Sequence, residues 1–251
     1  MWKKGFTLIE LLVVIAVMSL LMAVLVPAMD RARLQAKSLM CLSNLRQMCI
    51  AAQAYAANND EHYPISYYTE VTPGISRTLY NWDFITTQTW IGSAPTFKVE
   101  SGILWGANSM DKIHQCPVFK GEDNWLNDPY TGYNYNTSYI GRNGTLRPVQ
   151  SAKTTEVRKP AWTALFGDGE FESGANKFMR APWSNPRDAG FSGRYAGTQG
   201  YRHLGKTNVA FCDGHAQSWK DCYTETYPSD QANIAPGTGF LSADNSIYDL
   251  E

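Results

Sequence analysis

Met1-Trp2-Lys3-Lys4-Gly5-Phe6-Thr7-Leu8-Ile9-Glu10-Leu11-Leu12-Val13-Val14-Ile15 opens the chain. The apolar run that begins at Phe6 continues to Val26, with only Thr7, Glu10 and Ser19 interrupting it. As a helix these 21 residues span roughly 31 Å, about the hydrocarbon thickness of a bilayer. The run is apolar around its whole circumference, which sets it apart from a core helix with one buried stripe. It also exceeds the roughly 7–15 apolar residues of a cleaved secretory signal, although Val26-Pro27-Ala28 offers a small-residue cleavage site. The expectation is a transmembrane helix over residues 6–27.

Glu10 needs a physical account. It lies inside the apolar run, where a carboxylate is strongly penalised unless it finds a cationic partner. Charge alone does not orient the span, because Lys3 and Lys4 precede it while Arg31, Arg33 and Lys37 follow it.

Lys4-Gly5 followed by Phe6-Thr7-Leu8-Ile9-Glu10-Leu11-Leu12-Val13-Val14-Ile15 resembles the class III leader of type IV pilins and type II secretion pseudopilins. The resemblance implies a leader over residues 1–5, cleavage after Gly5 by a prepilin peptidase and N-methylation of the new terminal residue, Phe6. It implies that Glu10 pairs with the Phe6 amine of a neighbouring subunit, and that Pro27 kinks the helix. It places the leader in the cytoplasm, the span among inner-membrane lipid and the large domain outside. The partners implied are the peptidase and other pilin-like subunits. Ala16, Ser19 and Ala23 supply the small residues that let helices approach closely.

The helical pattern continues beyond the membrane. Leu34, Ser38, Cys41, Leu45, Met48, Cys49, Ala52, Tyr55 and Ala56 recur at three- and four-residue steps, opposite a polar face of Gln35, Lys37, Asn44, Arg46, Gln47 and Gln53. Asn58-Asn59-Asp60 and Pro64 end it. An amphipathic continuation is therefore expected over residues 28–59 and a globular β-rich domain over residues 60–251. Seven of the eight Trp lie after residue 60, among short β-type runs at Thr78–Tyr80, Tyr133–Tyr135, Thr163–Phe166 and Asn208–Cys212. The fold class expected is α+β and pilin-like: a long N-terminal helix packed on an antiparallel sheet, with long insertions and a loop-like tail from about Ser229.

His203, nine further residues and then Asp213-Gly214 match the H-x9-DG pattern of a pilin-like subgroup. Cys41-Leu42-Ser43-Asn44-Leu45-Arg46-Gln47 and Cys116-Pro117 resemble the same subgroup. Asp213-Gly214 between two β-type runs reads as a two-residue type I′ hairpin, with Val209 and Phe211 on one strand face. A metal or acid–base set of His203, Asp213 and His215 is the functional alternative to a structural motif. Cys41 and Cys49 stand about 12 Å apart along one helix, too far to bond. With the subgroup resemblance, disulfides Cys41–Cys116 and Cys212–Cys222 are the expectation in an oxidising compartment.

A net charge of −1 argues against nucleic acid as a partner. The chain has no C-x-x-C, G-x-S-x-G, H-E-x-x-H or phosphate-binding glycine loop, so no catalytic residues and no cofactor are expected. Calcium enters only through Asp168 and Glu170 in Gly167-Asp168-Gly169-Glu170, because some major pseudopilins bind it. The run lacks the alternating oxygens of a calcium loop. A structural subunit of a type II secretion pseudopilus or type IV pilus-like fibre is the functional expectation. A membrane-tethered ligand- or glycan-binding domain is the alternative, because Trp and Tyr faces suit sugars.

Overall fold

The computed structural model describes residues 7–91, 94–106, 113, 115–122, 128–144, 150–172, 174–188 and 193–251. Gly5 and Phe6, the expected processing site, lie outside the described residues, as do Lys3 and Lys4.

One helix, α1 (Leu8–Ala57), takes up the first fifth of the chain. Its 50 residues run roughly 75 Å. Pro27 sits inside it without ending it, and Asn58 closes it, its backbone N–H reaching back to Tyr55 and Ala56. The two halves of α1 meet different surroundings. From Leu8 to Val26 the side chains are exposed on every side. From Cys41 onward one face is buried: Cys41, Leu45, Met48, Cys49, Ala52 and Ala56. Those steps of three and four place the six residues on one stripe. Leu34, which the pattern extended to the same stripe, remains exposed.

The stripe lies on a five-stranded sheet ordered β11-β10-β7-β5-β8. Its strands are β5 (Asn134–Asn136), β7 (Ala164–Gly167), β8 (Phe178–Met179), β10 (Thr207–Phe211) and β11 (Ala216–Trp219). A second five-stranded sheet, β4-β3-β2-β1-β6, is built mainly from the meander β1 (Tyr67–Thr72), β2 (Ser76–Asn81), β3 (Phe84–Ile91) and β4 (Ala94–Ser101). The short strand β6 (Asn143–Gly144) runs parallel to β1, and β8 runs parallel to β5; the other pairings within these two sheets are antiparallel. The architecture is α+β and pilin-like, a long helix followed by a domain of largely antiparallel sheets.

β10 is buried along its whole length. Period-two alternation sends Ala210 into the core shared with α1, while Val209 and Phe211 enter a second core on the opposite face. That second core is closed by the C-terminal tail through Leu241, Ile247 and Tyr248. The tail is short of regular structure, with only the one-turn α2 (Pro228–Gln231) and β12 (Thr238–Gly239), which pairs with β9 (Gln199–Gly200). It is loop-like in backbone yet anchored by side chains that are fully buried.

The hairpin joining β10 to β11 differs from the expected two-residue type I′ turn. Phe211 pairs with His215 by N–H to carbonyl at 2.9 Å, which leaves a three-residue loop of Cys212, Asp213 and Gly214. Only Gly214 has positive φ, at +93°. Asp213 stays out of the left-handed region, and its carboxylate accepts from the His215 N–H at 3.0 Å. That local bond favours a three-residue loop with glycine at the left-handed position. The two-residue turn of the mirror-image type occurs instead at His203–Lys206. There the end residues exchange both backbone hydrogen bonds (2.9 and 3.1 Å), and Leu204 and Gly205 have φ of +55° and +75°. Leucine in the left-handed region costs about 1–2 kcal/mol, whereas asparagine tolerates it. Leu204 is exposed and gains little packing in return. Leu204→Asn is therefore expected to raise the melting temperature by roughly 2–4 °C, the shift expected for about 1 kcal/mol in a domain of this size. A thermal scan by circular dichroism checks it.

Candidate functional site

Two regions carry chemistry that the fold alone does not require. The first is the start of α1. Thr7 is the N-cap, and its side-chain oxygen accepts from the Glu10 N–H at 3.3 Å. Glu10 reaches back to accept from the Thr7 backbone N–H at 2.8 Å and from the Thr7 hydroxyl at 2.7 Å. This is a reciprocal capping box, and its Thr-x-x-Glu signature is present in the sequence. Within a single chain, Glu10 thus satisfies the otherwise orphaned amide at the helix start. It projects from the exposed apolar half of α1, the one described helix long and apolar enough to cross a membrane.

The second region lies where the buried stripe of α1 begins, roughly 22 Å along the helix beyond the apolar segment. Cys41 on α1, Cys116 in the loop before β5, Asp168 just after β7 and His203 just after β9 bring one ligand-type atom each within 4.8 Å of one another. All four residues are buried. Cys41 Sγ donates to Asp168 Oδ1 at 3.0 Å. His203 Nε2 stands 3.2 Å from Asp168 Oδ2 and 3.6 Å from Cys116 Sγ. Asp168 Oδ2 also accepts from the Asn208 N–H at 2.7 Å.

Arg202 closes the cluster. Its Nε donates to Cys116 Sγ at 3.3 Å, its Nη2 to Asp168 Oδ1 at 3.2 Å and its Nη1 to Glu170 at 3.0 Å. Burial alone would push Asp168 toward its neutral form, but the Arg202 charge and the His203 hydrogen bond outweigh it and hold the carboxyl below its usual range. Burial likewise opposes a charged imidazole at His203, yet Asp168 and Cys116 raise its pKa to about 9.

Local sequence explains how Asp168 reaches this position. It lies between two glycines whose missing side chains make room for the packing. A Cβ on Gly167 would stand 2.3 Å from the Gln199 amide oxygen, and one on Gly169 would stand 2.3 Å from the Asn176 carbonyl. The backbone of Asp168 is then tied on both sides, to Asn208 O at 3.1 Å and from Gly200 N at 2.7 Å. The Gly167–Glu170 run is extended, with Gly167 ending β7 and Gly169 bridged to Gln199, and it does not wrap oxygens around a calcium position. The Asp168 carboxylate faces sulfur and nitrogen, and Glu170 is engaged by Arg202.

His203, Asp213 and Gly214 do not converge. His203 joins the cluster beside Cys41. Gly214 sits against Gln53, whose Nε2 donates to the Cys212 carbonyl at 3.2 Å. Ser38, which contacts Asn208 at the start of β10, and Gln53 are roughly 22 Å apart along the helix. The H-x9-DG spacing is therefore a strand laid along the helix, gripping it at two heights. His215 pairs with Asp213 at 2.6 Å on the half-exposed turn and takes no part in the buried cluster.

All five cysteines are free thiols. The expected Cys212–Cys222 pair is separated by the hairpin itself: Cys212 is in its loop and Cys222 lies beyond the open end, where Trp219 pairs with Thr207. Four residues of strand at about 3.3 Å each keep them far outside bonding range. Cys41 and Cys116 are brought together, but as two members of the four-residue cluster. Trp162 and Trp219 meet edge to face at 6.4 Å along a surface groove that also includes Asp221, Tyr223 and Asp244.

The profile of the prokaryotic N-terminal methylation motif matches residues 3–26. Neither the curated proteins nor the solved structures contain a match to the chain. The apolar, exposed first half of α1 and the domain that follows it fit a single-pass, membrane-anchored protein. Together, the methylation motif and the helix-then-sheet architecture support a type IV pilin-like family for this chain.

Proposed function

We propose that this chain is a structural subunit of a type II secretion pseudopilus or type IV pilus-like fibre. In this reading prepilin peptidase cuts after Gly5 and Phe6 is N-methylated. The protein then resides in the bacterial inner membrane with its domain outside, until the apolar half of α1 leaves lipid for a bundle of like helices. The reading is supported above all by one juxtaposition: a lone carboxylate, Glu10, on an otherwise apolar and wholly exposed helical segment that carries the methylation motif. A helix of that kind is stable only in lipid or against other apolar helices. Cleavage after Gly5 would create a positive amine one turn from Glu10, and a neighbouring subunit could present that amine to it.

The test is mass spectrometry of the amino terminus of the protein isolated from its native membrane. The expected product begins with N-methyl-Phe6. A chain beginning at Met29 would indicate ordinary signal-peptidase cleavage and overturn the reading, and so would one retaining Met1.

A further inference from the structure

We propose that Cys41, Cys116, Asp168 and His203 form a closed, four-ligand zinc site that fastens the stalk helix to the domain. The argument is geometric. Zinc binds thiolate sulfur at about 2.3 Å and imidazole nitrogen or carboxylate oxygen at about 2.0–2.2 Å, in a tetrahedron. The edges of such a tetrahedron are roughly 3.3–3.8 Å, by simple trigonometry from those bond lengths. Taking one ligand atom from each residue, the four atoms all lie within 4.8 Å of one another. Cys116 Sγ and His203 Nε2 are 3.6 Å apart. The two Asp168 oxygens face different partners, Oδ2 standing 3.2 Å from His203 Nε2 and Oδ1 3.0 Å from Cys41 Sγ, so that one of them would serve as the ligand. Small adjustments bring these atoms to the vertices around one ion.

The donor set selects the metal. Two sulfurs and one imidazole exclude calcium and magnesium, which take oxygen ligands. Charge closes as well. Two thiolates and a carboxylate carry three negative charges against the two positive charges of zinc. Arg202, which contacts both Cys116 and Asp168, balances the remaining negative charge at the ligands, while its outer nitrogen faces the partly exposed Glu170. Zinc takes the sulfurs as thiolates and His203 as the neutral imidazole, so binding displaces to solvent the thiol protons and the proton on His203 Nε2. Four protein donors leave no open position for water, so the site is structural.

The four ligands come from four separate chain segments, so no C-x-x-C spacing announces the site. The consequence for the architecture is specific. One ligand belongs to α1 and three to the domain, so the ion ties the two together at the level where the buried stripe of the helix begins. This inference does not depend on how the amino terminus is processed and stands whether or not Phe6 is methylated.

The experiment uses the full-length chain purified in detergent without reductant and dialysed against a weak chelator. The expected result is about one zinc per chain by plasma mass spectrometry. Cobalt exchanged into the protein should show thiolate-to-metal charge transfer and the strong visible absorption of a tetrahedral ion. Cys41→Ser and His203→Gln are expected to lower zinc retention at least about tenfold, a loss typical of removing a ligand or its supporting partner. Cys49→Ser removes another buried thiol of the same helix and should keep the metal. If the ligand variants fail to fold, the wild-type measurement still decides. Wild-type protein without zinc overturns the proposal, whether Cys41 and Cys116 are then both alkylatable or are recovered as a disulfide-linked peptide.

Discussion

Lys177→Met is expected to destabilise the domain by about 3–5 kcal/mol, the range found when one partner of a buried ion pair is removed. Lys177 is fully enclosed, and its ammonium stands 2.9 Å from Asp83 and 2.8 Å from Asp128. Burial opposes the charged ammonium, but the two carboxylates outweigh it and raise its pKa above the ordinary lysine value. The triad links distant parts of the domain: Asp83 joins β2 to β3, Asp128 precedes β5, and Lys177 leads into β8. Trp82, buried beside it, donates its indole N–H to the Lys177 carbonyl at 3.0 Å. Methionine keeps much of the volume of lysine but strands two carboxylates out of water. The loss corresponds to a fall in melting temperature of roughly 6–20 °C for a domain of this size. The triple variant Lys177→Met, Asp83→Asn, Asp128→Asn should recover most of it, because no buried charge then lacks a partner. A loss below about 1 kcal/mol in the single variant would show that water reaches the triad and that it does not fasten the two sheets. The pH dependence has a definite sign. A lysine raised in the folded state contributes stability fully below its unfolded pKa of about 10.4 and loses it as pH rises through the higher folded value. This term is therefore constant across neutral pH and weakens only in alkali.

Much of the fold could be read locally. The three- and four-residue period of Cys41, Leu45, Met48, Cys49, Ala52 and Ala56 predicts the buried stripe, and Asn58 marks the end of α1. Val209 and Phe211 share a face because strands alternate. Other local signals were present but not decisive. Phe84-Ile85-Thr86-Thr87-Gln88-Thr89-Trp90-Ile91 is rich in β-branched and aromatic residues and forms β3, and the Thr7-x-x-Glu10 box caps α1. The buried cluster could not be read this way. Cys41 and Asp168 are 127 residues apart in sequence, and nothing near either residue names the other. His203 and Asp213-Gly214 illustrate the same limit from the opposite side. They are close in sequence and were candidates for one site, but a strand holds them at separate heights on the helix. Spacing along a chain reports contact only when the intervening backbone turns back. β10 does not, and the hairpin geometry depends on where positive φ falls.

Glu10→Gln separates two roles that the sequence merges in one residue. Glutamine can replace glutamate in a capping box, so the variant should keep the hydrogen bonds to Thr7 and the start of α1. It loses only the charge. Membrane insertion is expected to be normal, because an amide is less costly than a carboxylate in hydrocarbon. Processing is also expected to be normal, with N-methyl-Phe6 found by mass spectrometry at wild-type yield. Assembly should fail. The amine of each incoming subunit would enter an apolar bundle with no anion to meet it, and an unpartnered charge there is heavily penalised. Incorporation into sheared fibres, measured by immunoblot against total membrane protein, is expected to fall at least about tenfold, consistent with stranding a charge away from water. Thr7→Val provides the complementary case: it removes the cap side chain and leaves the carboxylate, so fibre incorporation should remain within about twofold of wild type, in keeping with the modest energy of one N-cap bond. If Glu10→Gln assembles as well as wild type while Thr7→Val does not, Glu10 serves the helix start alone, and the register between subunits must be set by the small residues Ala16, Ser19 and Ala23.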